Sequence, residues 1–223
     1  MIKIFARGGW HLGLIMSSQV KVNQITISFR ALMLRLDGFL LGPRAQLVAF
    51  VWGLAEATFF FIVPDVFLTL IAVRSLRPAL KGTLFALSGA LIGGAIMYTL
   101  GREAPEEARS LLNHVPGIST QLIARVEAEV RDAGLVAILV GPTRGIPYKL
   151  YAVEWGARHG DFLAFMLISI PARYVRFFLL AVGARVAARL LKPWTKLRAS
   201  VEVTLHAAVW IAFYSFYFAR FGL

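Results

Sequence analysis

The sequence predicts an all-α integral membrane protein with about three full transmembrane helices, two re-entrant helical hairpins and short amphipathic helices at the surface. Three observations carry that expectation. Hydrophobic residues make up 58% of the 223-residue chain and charged residues only 16%, whereas a soluble domain carries about a quarter charged residues and under half apolar ones. The apolar residues gather into stretches close to the roughly 20 residues that a helix needs to cross a ~30 Å hydrocarbon core. The basic residues, which give a formal net charge of +12, flank those stretches. A chain this apolar is not disordered, and without cysteine it has neither a disulfide framework nor a thiolate metal site.

Ala45 to Val73 is the longest apolar stretch, interrupted by Glu56, Pro64 and Asp65. Thr83 to Leu100 contains no charge, and Phe162 to Gly183 contains only Arg173 and Arg176. Ala199 to Ala219 carries Trp210, Tyr214, Phe216 and Tyr217 near one end, as an interfacial belt does. Leu135 to Val140 is apolar but meets Gly-Pro-Thr-Arg-Gly-Ile-Pro at 141–147 too soon to span. It reads as the first arm of a re-entrant hairpin over 135–153, with another over 45–73. Gly101 to Gly134 holds six of the twelve acids. Leu111, Leu112, Leu122, Ile123 and Val126 recur there at helical spacing, which predicts two amphipathic helices broken at Pro116-Gly117 and lying on the membrane surface. A solvated loop is the alternative.

Residues 1–44 form a basic N-terminal arm, 45–185 the membrane domain, and 186–223 a basic loop followed by a last transmembrane helix. The arm reads as an amphipathic interfacial segment. Its core over 8–18 contains His11, Gly8, Gly9 and Gly13, and no clear small-x-small cleavage site follows, which argues against a signal peptide. A start further down the chain, at Met16 or Met33, is a further possibility. Six basic residues precede residue 45, three lie in 74–81 and five in 185–198. The positive-inside rule puts all three groups on the cytoplasmic face, which requires 45–73 to enter and leave on that same side.

Each charge at the bilayer centre costs about 2.5–3.5 kcal/mol, so Glu56, Asp65, Arg173 and Arg176 facing lipid would cost about 10–14 kcal/mol together. They must face a cavity or one another. Arg173 and Arg176 share one helix face. Arg144 and Lys149 flank the 145–147 turn, with Tyr148 and Glu154 nearby. Four embedded cations (Arg144, Lys149, Arg173, Arg176) against three acids (Glu56, Asp65, Glu154) leave a positive excess that invites an anion, and Arg forks with a Lys point charge suit phosphate. Helix-locking ion pairs are the alternative. Gly89 and Gly93 form a small-xxx-small pair for close helix approach.

These residues also carry a resemblance. Ala-Glu-Ala-Thr-Phe-Phe-Phe-Ile-Val-Pro-Asp-Val-Phe-Leu at 55–68 resembles the first re-entrant motif of the DedA family, also called the VTT or SNARE-associated Golgi protein family, and its YqaA-type branch in particular. Gly-Gly-Ala-Ile-Met-Tyr-Thr-Leu-Gly-Arg at 93–102 looks like that family's Gly-x-x-x-Tyr-x-x-Gly-Arg segment. Ile-Pro-Tyr-Lys-Leu-Tyr-Ala-Val at 146–153, with Gly156, is similar to the second re-entrant motif, and Arg-Tyr-Val-Arg-Phe-Phe-Leu-Leu-Ala at 173–181 to the helix that follows. Together these motifs cover roughly 45–185. Gly-Pro-Thr-Arg-Gly at 141–145 departs from the family pattern, so Arg144 has no counterpart there.

The resemblance implies a lipid transporter or flippase moving an anionic lipid, a polyprenyl phosphate or a phospholipid, between leaflets of a bacterial cytoplasmic membrane. By the same resemblance Glu56 and Asp65 are proton-coupling acids. Lys149, Arg173 and Arg176, with Tyr148 beside them, become headgroup contacts, and Pro64 and Pro147 the hairpin breakers. A non-transporting scaffold or chaperone is the alternative. No cofactor or metal is expected. An enzyme is not expected either, since the four histidines are scattered and no HExxH or carboxylate cluster accompanies them. Nucleic acid is not expected as a partner, because anionic headgroups and topology account for the basic residues. Homo-oligomers are compatible with the sequence.

Overall fold

The computed structural model describes residues 31–195 and 199–221. The expected N-terminal arm falls mostly on residues outside that range. The chain divides into two units at Phe39/Leu40. Of the first, only residues 31–39 are described; they lie in helix α1, which runs from Ala31 to Leu40.

Among its described residues the second unit is made of helices joined by short turns, with no strand. Helix α2, Pro43–Thr58, opens on a proline, whose missing N–H is no loss in a first turn. It ends at Thr58, where the Phe59 N–H still reaches the Ala55 carbonyl, and Pro64 stands at the other side of the break as the cap of the next helix. Helix α3, Asp65–Arg74, follows at once. Helix α4, Leu76–Glu103, is an unbroken 28 residues. Pro105 opens α5, Pro105–Asn113. The Ser119 hydroxyl accepts from the Leu122 N–H at 3.3 Å to cap α6, Thr120–Ala133. Helix α7, Leu135–Val140, tightens into a 3-10 turn over Gly141–Arg144 and ends at Gly145, whose φ of +85° few other residues would adopt. Helix α8, Tyr148–Ala157, follows Pro147. The Asp161 carboxylate accepts from the Ala164 N–H at 2.6 Å at the start of α9, Phe162–Thr195. Helix α10, Ala199–Phe221, ends the described chain.

Among the described residues three helices are long and apolar enough to cross a membrane: Leu76–Glu103, Phe162–Leu191 and Val201–Ala219. They correspond to the three full spans expected, and the fold is that of an all-α membrane protein. Their outward residues, among them Leu84, Phe85, Ile92, Leu167, Leu179, Val209 and Ile211, are exposed and apolar, as a surface meeting hydrocarbon must be. Their burial differs: 44% of the span in α4, 33% in α9 and none in α10, so α4 is the central post and α10 the peripheral one.

Helix α4 packs against α2, α8 and α9. A Cβ on Gly89 would collide with the Phe50 carbonyl of α2, and one on Gly101 with the backbone of Val153 in α8. Helix backbones therefore meet at their closest approach on two sides of α4, which is how spans gain dispersion energy where lipid removes the hydrophobic drive.

Two expectations are modified. The basic stretch from residue 186 is not a loop at first, because α9 continues helically to Thr195, as its Ala, Leu and Arg content favours. The amphipathic pair forms as α5 and α6, with the break at 114–119. Its apolar stripes (Ala108, Leu112, Ile123, Val126, Val130) are buried in one core with Tyr148, Leu150 and Tyr151 of α8. Those faces are covered by the protein itself and not left open to lipid.

Candidate functional site

The chain leaves the helix between α2 and α3 and again between α7 and α8. Inside a bilayer every backbone N–H and C=O freed by such a break needs a protein partner. At the first break one comes from the preceding helix and two from far away in sequence. The Trp52 indole N–H donates to the Ile62 carbonyl at 2.9 Å. The Lys149 ammonium donates to the Phe60 carbonyl at 2.7 Å. The Val63 N–H donates to the Tyr214 hydroxyl oxygen of α10 at 2.9 Å.

Around this break lie four charged side chains that are almost wholly buried: Glu56 at 4% exposure, Asp65 at 0%, Lys149 at 2% and Arg173 at 1%. The Arg173 guanidinium donates to the Glu56 carboxylate, and the Arg176 guanidinium to the Asp65 carboxylate. A three-residue spacing on α9 thus serves one acid at the end of α2 and one at the start of α3. Arg173 is also sandwiched between rings, 5.1 Å from the Tyr148 centroid and 5.0 Å from that of Phe177, a contact that strengthens when desolvated. Tyr148 donates to the Ser169 hydroxyl oxygen at 2.7 Å, and Ser169 donates on to the Phe165 carbonyl at 2.7 Å. This chain of bonds fixes the ring on which the guanidinium lies.

Charge placement within the helices is informative. Asp65, in the first turn of α3, sits where the helix dipole favours an anion. Glu56 near the end of α2 and Lys149 near the start of α8 each sit at the end that opposes their charge. Neither is there for the sake of its own helix. They lie within electrostatic reach of one another and of Arg173.

The sequence therefore named the members of this cluster, and the structure brings together Glu56, Asp65, Tyr148, Lys149, Arg173 and Arg176. Pro64 and Pro147 stand where the two helix breaks end. Two of the expected charges lie elsewhere. Arg144 is exposed on the 3-10 turn, because that turn projects its side chain outward. Glu154 is buried but turned to α5, where Arg109 holds it with two bonds, Nε at 2.9 Å and Nη2 at 2.7 Å. The positive excess expected from counting charges shrinks accordingly: two cations pair with Glu56 and Asp65, and Lys149 is left on a carbonyl.

Sequence reasoning missed Arg109. The available signal was an acid in an apolar segment together with a nearby amphipathic helix that carries arginine. The bond to Glu154 drives the Arg109 guanidinium still further above its ordinary, always-charged range. Arg109 also reaches Glu106 at 2.7 Å. Replacing Arg109 by Gln strands Glu154 and should cost about 3 kcal/mol, the low end for a stranded buried charge, since Arg109 itself is 25% exposed. Denaturation in mild detergent followed by circular dichroism reads this. The double replacement with Glu154→Gln should recover most of the loss, and an unchanged midpoint in the single variant would remove Arg109 from the framework.

Trp52 and Tyr214, the other missed partners, use aromatic N–H and O–H groups that look like ordinary belt residues in sequence. Two of the described histidines have ring partners: His114 pairs with the Ser110 carbonyl of its own helix at 2.8 Å, and His206 of α10 with the Thr69 hydroxyl of α3 at 2.9 Å. Among the described residues no group of three or more His, Asp or Glu could hold a metal ion.

In comparisons with known proteins, no family model matches the chain, and no solved structure does. An uncharacterized protein of Haemophilus influenzae is 26% identical over 165 residues, which cover 74% of this chain and 84% of that one.

Proposed function

We propose that the protein is a DedA-type transporter that moves an anionic lipid, a polyprenyl phosphate or a phospholipid, between the leaflets of a bacterial cytoplasmic membrane, coupled to protons. In this reading α2–α3 and α7–α8 are re-entrant hairpins that face each other across the buried cluster. Glu56 and Asp65 take up and release the proton, and Lys149, Arg173 and Arg176, with Tyr148 beside them, meet the phosphate. The lipid tails stay in the bilayer throughout, so only the headgroup needs a polar passage.

One observation carries the reading. The cluster is unfinished: Arg173 Nε and Nη1 and Asp65 Oδ1 are buried with no hydrogen-bond partner. A purely structural ion-pair network is expected to satisfy its members, because each orphaned buried group costs about 1–3 kcal/mol. Donors on Arg173 left over after pairing are what an incoming phosphate would use. Protonating Glu56 would weaken its hold on Arg173 and free the fork for that phosphate, which gives the proton a mechanical consequence. The opposing observation is that each acid already has an arginine, as helix-locking pairs in a scaffold would.

Transfer of labelled polyprenyl phosphate and common phospholipids across proteoliposome membranes, with and without a pH gradient, separates the two. Glu56→Gln should reduce transfer to the rate of empty vesicles while inserting and folding normally. Wild-type transfer by that variant would refute the proton role of Glu56. Folded wild-type protein that transfers no lipid would favour the scaffold.

A further inference from the structure

A second group of charges lies at the other end of α3, where α9 runs on and α10 begins, and the transport reading makes no use of it. A cavity of about 340 Å³ there is lined by Val73, Arg74, Arg185, Ala188, Arg189 and Glu202. Arg185 and Arg189 are one helical turn apart and share a face of α9. Arg185 Nη1 donates to the Val73 carbonyl at 2.7 Å and the Arg74 carbonyl at 3.3 Å, which satisfies the free end of α3. Its Nε is buried and has no partner. Arg74 Nη1 is held by Glu202 Oε2 of α10 at 2.7 Å. Arg189 is exposed and has no ion-pair partner among the described residues. Three guanidinium groups thus surround one carboxylate.

We propose that this pocket binds the phosphate group of an anionic phospholipid from the surrounding leaflet, with Arg185 and Arg189 as its donors and Glu202 as an internal competitor for Arg74. Arginine forks match phosphate oxygens two at a time. A cavity of this size, near the lower end of the ~300–1,000 Å³ range of small-molecule sites, takes a headgroup and leaves the acyl chains outside. Apolar side chains are exposed beside it on both helices, Val186 and Leu190 on α9 and Val201 and Leu205 on α10, so chains can lie along them. The pocket is also at the right depth. The span in α9 ends at Leu191 and that in α10 begins at Val201, which puts the cavity at the headgroup level. A phosphate that enters displaces Glu202 from Arg74, replacing a bond that ties α10 to α3.

Native mass spectrometry of the full-length protein in detergent tests this without reference to transport, so its failure would leave the transport reading untouched. The probes are short-chain phosphatidylglycerol, phosphatidylcholine of the same chain length, and inorganic phosphate. Phosphatidylglycerol should bind in preference to phosphatidylcholine. Arg189→Gln, an exposed change that leaves the fold intact, should weaken that binding about tenfold, the effect of one charge-assisted contact. Glu202→Gln should tighten it about threefold to tenfold by removing the competitor, a sign that mere destabilisation cannot produce. Inorganic phosphate that binds with the same order of variants would support the phosphate site and assign it to a soluble anion. Equal binding of both lipids, or a Glu202→Gln variant that binds phosphatidylglycerol no better than wild type, would overturn the proposal.

Discussion

Arg173→Ala should lower the stability of the folded protein by about 3–5 kcal/mol, the cost of stranding one member of a buried pair. The stranded group is Glu56, itself only 4% exposed, and the other cations within its electrostatic reach are engaged, Lys149 with the Phe60 carbonyl and Arg176 with Asp65. The loss of the guanidinium also opens the space between Tyr148 and Phe177, where it makes two ring contacts. Unfolding in mixed micelles, read by near-ultraviolet circular dichroism, measures the loss. Adding Glu56→Gln to Arg173→Ala should restore about half or more, because a neutral amide is far cheaper to bury than a lone carboxylate. If the single variant unfolds where wild type does, the pair does not tie α9 to α2. If the double variant folds but transfers no lipid, the cluster is needed for transport beyond its part in stability.

Gly89→Leu should be the most damaging substitution outside the cluster. The new Cβ would meet the Phe50 carbonyl and lie 2.8 Å from the Leu54 nitrogen. Those are backbone atoms of α2, which cannot swing aside as a side chain can. Overpacking typically costs about 1–3 kcal/mol where side chains can adjust, so this change should exceed about 3 kcal/mol and leave little protein that survives detergent extraction as a monodisperse peak. Ser88→Leu, one residue away, changes an exposed position and should extract like wild type. Equal recovery of the two variants would mean that α2 and α4 do not approach as closely as described.

Much of this architecture follows from features that act locally. Apolar length marked α4, α9 and α10, proline marked both helix breaks, and the cost of charge in hydrocarbon marked Glu56, Asp65, Arg173 and Arg176 as residues that must meet. Their pairing was not legible. Glu56 and Arg173 are separated by 117 positions and Asp65 and Arg176 by 111, and either acid could have taken either arginine. Counting charges also treated Arg144 and Glu154 as members of one cluster. The direction in which a turn projects its side chain, and the helix that happens to face an acid, depend on packing that one-dimensional patterns do not contain. The amphipathic stripes of α5 and α6 have the same ambiguity. A stripe shows that a face will be covered, but here Tyr148, Leu150 and Tyr151 of α8, not lipid, cover it.

The break between α2 and α3 has a consequence for biosynthesis. Two of the side chains that complete its backbone bonding, Lys149 and Tyr214, emerge from the ribosome long after it does. In the re-entrant reading proposed above, the Phe60 carbonyl and the Val63 N–H must until then stay hydrated or be shielded by the insertion machinery, because hydrocarbon offers them nothing. On that reading the first third of the chain cannot settle to its final depth as it is made. A nascent chain arrested before Lys149 should remain open to water-borne labels at residues 59–63, and only the complete polypeptide should seal them.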